Sequence, residues 1–143
     1  MREAVGPAAG LVRLSFLVQT LYGEVGRDCG LTTAQAQLLC TLAAGPTGMA
    51  DLCTTLGLER SSLTGLVDRA EHRGLVERQP DPADRRAVRV ALTPDGEKTI
   101  GRFHHEVTER LEWLLADLPA TERERFHRTL AKVTADAPAV FVD

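Results

Sequence analysis

Apolar residues near the start of the chain recur at the spacing of an amphipathic helix. From about Pro7 to Arg27 they advance by steps of three and four, which aligns them along one side of a helix. This seam consists of Leu11, Leu14, Val18, Leu21 and Val25, and a second set, Val12, Phe16, Leu17 and Tyr22, widens it. We therefore predict a long helix with one face on its own domain and the other on a second chain. A single wide stripe that faces the core of a monomer is the alternative.

The next region carries start and stop signals for two short helices. Thr32 is a typical N-cap residue, and Gln35 three positions later completes a capping box, so a helix to about Ala43 is predicted. Glycine and proline then interrupt the pattern. A second helix is predicted from Met49 to Leu56, and it ends at Gly57, which tolerates a left-handed backbone.

The segment from about Arg60 to Arg73 has two chemically different faces. At 100° per residue, one face carries the aliphatic residues Leu63, Leu66, Val67 and Ala70, and the opposite face carries Ser61, Gly65, Asp68 and His72. The unpaired N–H groups and the positive dipole at the helix start favour an anion such as phosphate. Gly65 costs up to about 1 kcal/mol of helix propensity relative to alanine, a cost that close approach to another surface would justify.

Two strands follow this helix, which ends at Gly74. They are predicted at Leu75 to Arg78 and at Val88 to Leu92, the second from its alternation of apolar residues. Turn-forming Pro and Asp residues lie between them, with Arg85 and Arg86 near the tip. The sequence therefore predicts a β-hairpin with a cationic end.

The last third of the chain is predicted to be helical. Thr93, Pro94 and Asp95 are typical of a helix start. Apolar residues then step by three and four through Ile100, Phe103, Val107, Leu111, Leu114 and Leu118. After Pro119, the sequence Thr-Glu-Arg-Glu from Thr121 forms a capping-box pattern that predicts a last helix with Phe126, Leu130 and Val133 on one stripe.

This order of elements predicts a mostly α fold with a small β-hairpin wing, that is, a winged helix-turn-helix with long helices before and after it. We divide the chain into an N-terminal helix (1–30), a winged helix-turn-helix region (31–96) and C-terminal helices (97–143), intertwined as one domain.

Composition narrows the class of protein. With 143 residues and 43% hydrophobic residues the chain can bury a core, and it lacks a membrane-spanning run or a signal-peptide pattern, so a cytoplasmic protein is expected. The three cysteines, Cys29, Cys40 and Cys53, show no disulfide or zinc spacing, and no cofactor or metal is expected. The formal charge is -3, yet residues 59–89 hold seven arginines against six acidic residues, so attraction to a polyanion depends on where the arginines lie.

Three stretches, LTTAQAQLLCTLA, SSLTGLVDRAEHRGLVER and DPADRRAVRVALTPDGE, resemble the multiple-antibiotic-resistance regulator (MarR) family. The wing string Asp-x-x-Asp-Arg-Arg, followed by an alternating strand and Leu-Thr-x-x-Gly, is the most specific part. The resemblance runs from about Leu11 to the end of the chain. It implies a homodimer that binds a pseudo-palindromic operator in double-stranded DNA, with two recognition helices about 34 Å apart in successive major grooves. The resemblance also implies that the N- and C-terminal helices are dimerisation helices, and the dimer contacts are then expected at Leu11, Leu14, Val18, Leu21, Leu111, Leu114, Leu118, Phe126 and Leu130.

The resemblance also implies roles for individual residues. Those expected to bind DNA are Arg60, Ser61, Ser62, Thr64, Gly65, Arg69, Arg73, Asp84, Arg85 and Arg86. Arg86 would enter the minor groove with Asp84 bracing it, and Arg85 would contact the backbone. Arg60 and Arg73 are weaker candidates, and Arg69 has the alternative of a salt bridge to Asp68, to Glu71 or to a neighbouring helix. Glu59 stands where related chains commonly have a better N-cap, which leaves the helix start open.

The resemblance further implies a repressor that responds to a small aromatic or amphipathic effector lodged between the dimer helices and the DNA-binding lobe. Arg13, Phe16, Tyr22, His104 and Trp113 lie on helices that could line such a cleft, and none is assigned to it. A redox branch of the family has an early cysteine where this chain has Ser15, which argues against that route, although Cys29 beside Arg27 leaves thiol sensing open.

Two other classes of protein remain to be weighed. An enzyme is not expected, because no nucleophile, metal-ligand set or phosphate-cradling loop has the required spacing. A winged-helix module that binds proteins instead of DNA is favoured by the net negative charge. Such a module would not need the arginine pair at the wing tip.

Overall fold

The computed structural model describes residues 6–136. Within them, helices and strands follow one another as α1 (Gly6–Asp28), α2 (Thr33–Leu42), β1 (Thr47–Gly48), α3 (Met49–Leu56), α4 (Arg60–His72), β2 (Val76–Asp81), β3 (Asp84–Leu92), α5 (Pro94–Leu115) and α6 (Ala120–Thr134). The predicted mostly α fold with a hairpin wing is confirmed. The outer ends of the predicted segments 1–30 and 97–143 lie outside the described residues.

The ends of several helices follow local rules that the sequence predicts. Thr32 Oγ1 accepts a hydrogen bond from the Gln35 N–H, and Gln35 Oε1 accepts one from the Thr32 N–H, both at 3.1 Å. Gly57 closes α3 with φ 64°. Thr93 Oγ1 accepts from the Gly96 N–H at 3.0 Å and caps α5. Each of these predicted caps is therefore confirmed.

The sheet is antiparallel, and β3 lies in its centre between β1 and β2. The hairpin pairs Val76 with Leu92 and Gln79 with Arg89. Both hairpin strands are longer than predicted. The short β1, which pairs Thr47 with Val90, was not predicted, because its two residues carry no alternating pattern of their own and are held by β3.

The core lies where α2, α3 and α4 meet the base of the sheet and the first half of α5. Its fully buried side chains include Leu38, Leu39, Leu52, Leu63, Val67, Val90 and Phe103. Gln35 is the buried polar residue of this region, and its side chain is committed to the α2 cap and to Arg73. Burial of these aliphatic groups holds α4 against α2 and α3 and fixes its opposite face toward solvent.

The end of α4, the start of β2 and the first turn of α5 meet at one point. The Leu75 N–H donates to the Ala70 carbonyl at 3.0 Å, and the Leu75 carbonyl accepts from the Thr93 N–H at 3.1 Å. The Thr93 hydroxyl donates to the Gly74 carbonyl. A side chain at Gly96 would overlap the Leu75 carbonyl oxygen, so only glycine fits there without movement of the backbone.

Two predictions about the C-terminal helices are wrong. α5 ends at Leu115, so Leu118 lies in the connection and not on the helix. α6 begins at Ala120 directly after Pro119, and the N-cap position has no side-chain hydrogen bond, so the capping box at Thr121 does not form. Pro119 determines this start, because its fixed φ and missing N–H suit the boundary of a helix better than its interior. Within residues 6–136, no helix combines the length and apolarity that crossing a membrane requires.

Candidate DNA-binding surface

Helix α4 presents a polar face to solvent because its aliphatic face is anchored. Leu63, Leu66, Val67 and Ala70 are all buried, as predicted. Ser61 and Ser62 are exposed in the first turn. Glu59 has extended backbone dihedrals and is the N-cap, but its side chain makes no capping hydrogen bond. The N-cap residue of α4 therefore offers no side-chain hydrogen bond to the first-turn N–H groups, which lie in the same turn as the two serines.

The Thr64 hydroxyl is already engaged within the helix. It donates to the Arg60 carbonyl at 2.8 Å. Its proton is therefore not available to a phosphate oxygen, while the hydroxyl oxygen can still accept from the amino group of a base. The sequence could not reveal this difference between Thr64 and the two serines.

Gly65 and Arg69 lie together on the exposed side of α4. A side chain built at Gly65 would meet the Arg69 guanidinium nitrogen Nη1 at 3.2 Å, which is the mobile end of a long side chain. The fold itself therefore does not require glycine here. Arg69 makes no ion pair within residues 6–136, and the salt bridge to Asp68 or Glu71 that was its alternative role does not form.

Asp68 and Glu71 pair instead with Arg78 on β2. Arg78 Nη2 donates to Asp68 and Nη1 donates to Glu71 at 2.7 Å, while the Arg78 backbone N–H donates to the second Glu71 oxygen at 3.1 Å. The hydrogen bond to Asp68 is the main cause that raises the pKa of Arg78. This clamp between α4 and β2 was missed by the sequence analysis, because it joins residues that only the hairpin brings together.

The tip of the wing is shaped by two aspartates. Asp81 Oδ1 accepts from the Ala83 N–H at 2.9 Å, and Asp84 Oδ1 accepts from the Arg86 N–H at 3.0 Å. Asp84 thus braces Arg86 through its backbone and not through its guanidinium. Arg85 and Arg86 are both exposed, and neither forms an ion pair within the described part of the chain.

Arg60 and Arg73 have different surroundings. Arg60 is exposed at the start of α4. Arg73 reaches back across the domain, where Nη1 donates to the Gly30 carbonyl and, at 3.1 Å, to Gln35 Oε1. The structure therefore uses Arg73 to hold the loop between α1 and α2, away from the face that carries the serines.

Comparison with known proteins identifies the family of this chain. The sequence profile of the MarR family matches residues 30–87. The chain is 34% identical over 104 residues to the transcriptional repressor NicR of Pseudomonas putida, a region that covers 72% of this chain and 66% of NicR. The crystal structure of wild-type E. coli MarR in its apo form aligns with a TM-score of 0.77 at 30% identity, covering 90% of this chain and 97% of that one. The chain belongs to the MarR family.

Another solved structure of the same fold is that of BpsR from Bordetella bronchiseptica. It aligns with a TM-score of 0.69 at 26% identity and covers 96% of this chain and 99% of BpsR. That structure is described as showing how 6-hydroxynicotinic acid regulates DNA binding by BpsR. The protein is thus a MarR-family transcriptional regulator with a winged helix-turn-helix fold.

This MarR-family chain exposes large apolar side chains on its terminal helices α1, α5 and α6. Phe16 is 64% exposed on α1 and Trp113 is 80% exposed on α5, and α6 buries no residue at all. Further exposed members are Leu11, Val12, Leu14, Leu17, Leu114, Phe126 and Val133. Of the predicted dimer contacts, Val18, Leu21, Leu111, Leu118 and Leu130 are half-buried. Large exposed apolar surfaces of this kind mark sites of association.

A cavity of about 860 Å³ lies between α1, α2 and α5 of this MarR-family protein. Tyr22, one of the possible cleft residues, lines it, whereas Phe16 and Trp113 line a second concavity of about 560 Å³ between α1 and α5. His104 lies behind the first cavity, with Nε2 3.4 Å from Cys40 Sγ. The sequence analysis did not assign Cys40, Gln37 or Phe103 to a cleft, because it had no means to place α2 against α5.

Proposed function

We propose that this MarR-family regulator binds a pseudo-palindromic operator as a homodimer and represses transcription. The observation that carries the proposal is the set of exposed arginines and serine hydroxyls on α4 and at the wing tip that have no ion-pair or hydrogen-bond partner for their side chains within residues 6–136. Within the described residues, Arg69, Arg85 and Arg86 form no ion pairs, although aspartates and glutamates are close to them in sequence. The proposed DNA contacts are Arg60, Ser61, Ser62, Thr64, Gly65, Arg69, Arg85 and Arg86, with Asp84 as the brace.

Arg73 is removed from this set of contacts. Its Nη1 donates to the Gly30 carbonyl and to Gln35 Oε1, so we assign it a positioning role: it ties the end of α4 to the start of α2. We propose that residues 31–96 form the DNA-binding region. The segments 1–30 and 97–143 supply the dimer.

Dimerisation through α1, α5 and α6 is supported by the apolar side chains that these helices expose. An amphipathic helix such as α6, with none of its residues buried in the single chain, gains stability when its apolar stripe is covered. Two protomers held in this way would present two α4 helices to one side of a duplex, at a separation near one turn.

A response to a small ligand is the second part of the proposal. The cavity between α1, α2 and α5 lies between the predicted dimerisation helices and the DNA-binding region. Its volume falls within the range of pockets that hold small molecules. The example of BpsR, which responds to 6-hydroxynicotinic acid, supports a ligand-dependent mechanism in this family.

The test of DNA binding uses the full-length protein and the genomic DNA of its source. Fragments selected by the protein define an operator, and fluorescence anisotropy on that duplex measures affinity between 50 and 200 mM salt. We expect affinity to fall by roughly a hundredfold or more over this interval, since several phosphates are contacted in each protomer. Absence of binding to any duplex at low salt would contradict the proposal and favour the protein-interaction module.

Thiol sensing has less support than ligand sensing. Burial raises the pKa of the Cys40 thiol to about 12, the opposite of what a reactive cysteine needs. Cys29 and Cys53 are half-buried free thiols, and no cysteine within residues 6–136 forms a disulfide.

A further inference from the structure

We infer that Cys40 and His104 together bind a soft monovalent metal ion, Cu(I), between α2 and α5. His104 Nε2 lies 3.4 Å from Cys40 Sγ. Thiolate sulfur selects soft metal ions, and imidazole is a good ligand for copper. The sequence pointed to no metal site, because the two ligands lie 64 positions apart and only the packing of α2 against α5 brings them together. Neither residue belongs to the predicted dimer contacts or to the proposed DNA contacts.

The separation of the two donor atoms suits a shared metal ion. With bonds of about 2.3 Å to sulfur and about 2.0 Å to imidazole nitrogen, as in zinc sites, the two atoms lie roughly 3.5 Å apart at a tetrahedral angle. The distance of 3.4 Å between Cys40 Sγ and His104 Nε2 is close to this value, so α2 and α5 need little adjustment. Cys40 also lines the cavity between α1, α2 and α5, from which a water molecule can approach as a further ligand.

The number of ligands favours Cu(I) over Zn²⁺. Among residues 6–136, no group of three or more His, Cys, Asp or Glu side chains could hold a metal ion, so Cys40 and His104 have no third ligand of these kinds. Structural zinc sites almost always use four protein ligands, and catalytic zinc sites use three. Cu(I) forms stable complexes with only two or three ligands in total. The pair therefore fits the smaller coordination number.

The charge of the site leads to the same ion. Cys40 is only 6% exposed, and an uncompensated charge in such surroundings is unfavourable. One thiolate, one neutral imidazole and one Cu(I) ion carry no net charge. Zn²⁺ with the same two ligands would leave one positive charge without a partner.

The protonated state of the Cys40 thiol does not prevent coordination. Burial raises the pKa of this thiol to about 12, so the metal-free group is protonated at neutral pH. Binding replaces the S–H bond by an S–Cu bond, and the proton passes to the solvent. Copper stays as Cu(I) throughout, so no oxidant or reductant is consumed. His104 is only half-buried, so the ion can reach the pair from the side of α5.

The experiment measures retention of Cu(I) by the full-length protein, without oxygen, against the competing chelator bicinchoninate. Cys29 and Cys53 are free thiols that could also take up Cu(I), so the Cys29→Ser/Cys53→Ser double variant is measured beside the parent. We expect the double variant to retain one Cu(I) per protomer. A double variant that gives up all its Cu(I) to the chelator would overturn the inference.

Substitutions in the double variant identify the ligands. Cys40→Ser should abolish retention of Cu(I). His104→Gln should weaken it at least about tenfold, since even loss of a group that only supports a metal ligand costs about that much. His105→Gln, on the same helix, is the matched control and should bind as the double variant does. Undiminished retention in either Cys40→Ser or His104→Gln would refute the two-residue site.

X-ray absorption tests the site without any change to its ligands, and so it remains decisive if Cys40→Ser fails to fold. The Cu(I)-loaded double variant should show one sulfur ligand together with the scattering pattern of an imidazole. A spectrum with sulfur ligands alone, as expected for copper held between thiols of two chains, would contradict the inference. So would displacement of the Cu(I) by an equal amount of Zn²⁺.

A bound ion would also join α2, in the winged helix-turn-helix region, to α5. Hydrogen exchange in both helices should therefore slow when the double variant takes up Cu(I), while exchange in the wing stays the same. Unchanged exchange in α2 and α5 at full occupancy would place the ion elsewhere. These measurements need no operator, so their failure leaves the proposed function untouched, and failure of DNA binding leaves the metal site untouched.

Discussion

At the proposed DNA-binding surface, Arg69, Arg85 and Arg86 form no ion pairs within residues 6–136, and this has consequences at individual positions. Arg86 is held by the hydrogen bond from its backbone N–H to Asp84, while its guanidinium has no ion-pair partner in the described residues. Such a side chain adds little to the stability of the fold. Its replacement therefore separates binding from folding.

Arg86→Ala should weaken operator binding by roughly tenfold or more and reduce the slope of log affinity against log salt by about one, since one phosphate-proximal charge is lost. Its melting temperature should remain that of the parent. Arg27→Ala, which removes an exposed arginine at the end of α1, is the charge-matched control for anisotropy titrations. Equal affinities for Arg86→Ala and the parent protein would remove the wing from the DNA contacts.

Gly65→Ala is a second variant that separates operator binding from the stability of the fold. The added methyl group meets only the mobile end of Arg69, so helix propensity should stabilise the fold by up to about 1 kcal/mol. We expect chemical denaturation to show this gain while anisotropy shows weaker operator binding, because the methyl group holds the duplex away. Gly101→Ala on α5, where nothing lies within 4 Å of the new atom, should give the gain in stability alone. Undiminished DNA affinity in Gly65→Ala would mean that α4 does not approach DNA at this residue.

His104 predicts how stability depends on pH. Burial lowers its pKa below the value near 6.5 that it has in an unfolded chain. Between those two values the unfolded state binds more protons, so its contribution to stability is intact above about pH 6.5 and is lost as pH falls. Thermal melts of His104→Gln between pH 7 and pH 5.5 should therefore show a shallower loss of stability than the parent. His105→Gln, which changes the exposed neighbour, should retain the parental slope.

At the scale of elements, local signals in the sequence were sufficient to predict helix ends whose backbone groups bind partners nearby in the chain. The Thr32 and Thr93 caps and the left-handed Gly57 involve partners within five residues, and all were predicted. The buried and exposed faces of α4 were predicted as well, since the helical spacing of its aliphatic residues indicates which face is buried. Features that depend on distant partners were missed, including β1, which is held only by β3, and the pairing of Arg78 with Asp68 and Glu71.

The Arg78 clamp is the element-scale feature with the clearest test. Arg78→Gln should cost about 1 kcal/mol or less in stability, since all three side chains are partly solvent-exposed. We expect its operator affinity to fall by more than the equivalent of this loss in stability. The reason is that β2 and α4 would no longer be fixed to one another. Hydrogen exchange should rise in the wing and not in α2. Parental affinity and parental exchange in this variant would show that the clamp is dispensable for binding.

At the scale of the whole molecule, sequence periodicity identified the terminal helices that carry the exposed apolar surface, but not where they end. Leu118 fell outside α5 because Pro119 sets the boundary of the next helix. The family resemblance implied a cleft between the dimer helices and the DNA-binding lobe, but most of the residues that line the cavity between α1, α2 and α5 could not be predicted, since only the folded chain brings Phe103 of α5 against α1 and α2.

The proposed dimer predicts a specific fluorescence change. Trp113, the sole tryptophan of the chain, is 80% exposed in the single protomer. We expect the emission of Trp113 to be blue-shifted at micromolar concentration, where the partner protomer covers the indole. On dilution the dimer dissociates, and the emission should shift to the red. Phe16→Asp, which puts a charge beside Trp113 in the shared concavity, should give a monomer by light scattering and a red-shifted emission at all concentrations. A parent protein that stays monomeric would exclude the dimer.

The contact at Gly96 limits how a ligand can change the shape of this regulator. Since α5 rests on the Leu75 carbonyl with no space between them, and Thr93 is bonded to both Gly74 and Leu75, α5 cannot slide past the base of the hairpin. A tilt of α5 must therefore move α5 and the β2–β3 hairpin together as one rigid unit. A ligand in the cavity would then change the distance between the two winged helix-turn-helix regions of the proposed dimer. The structure within each region would stay the same.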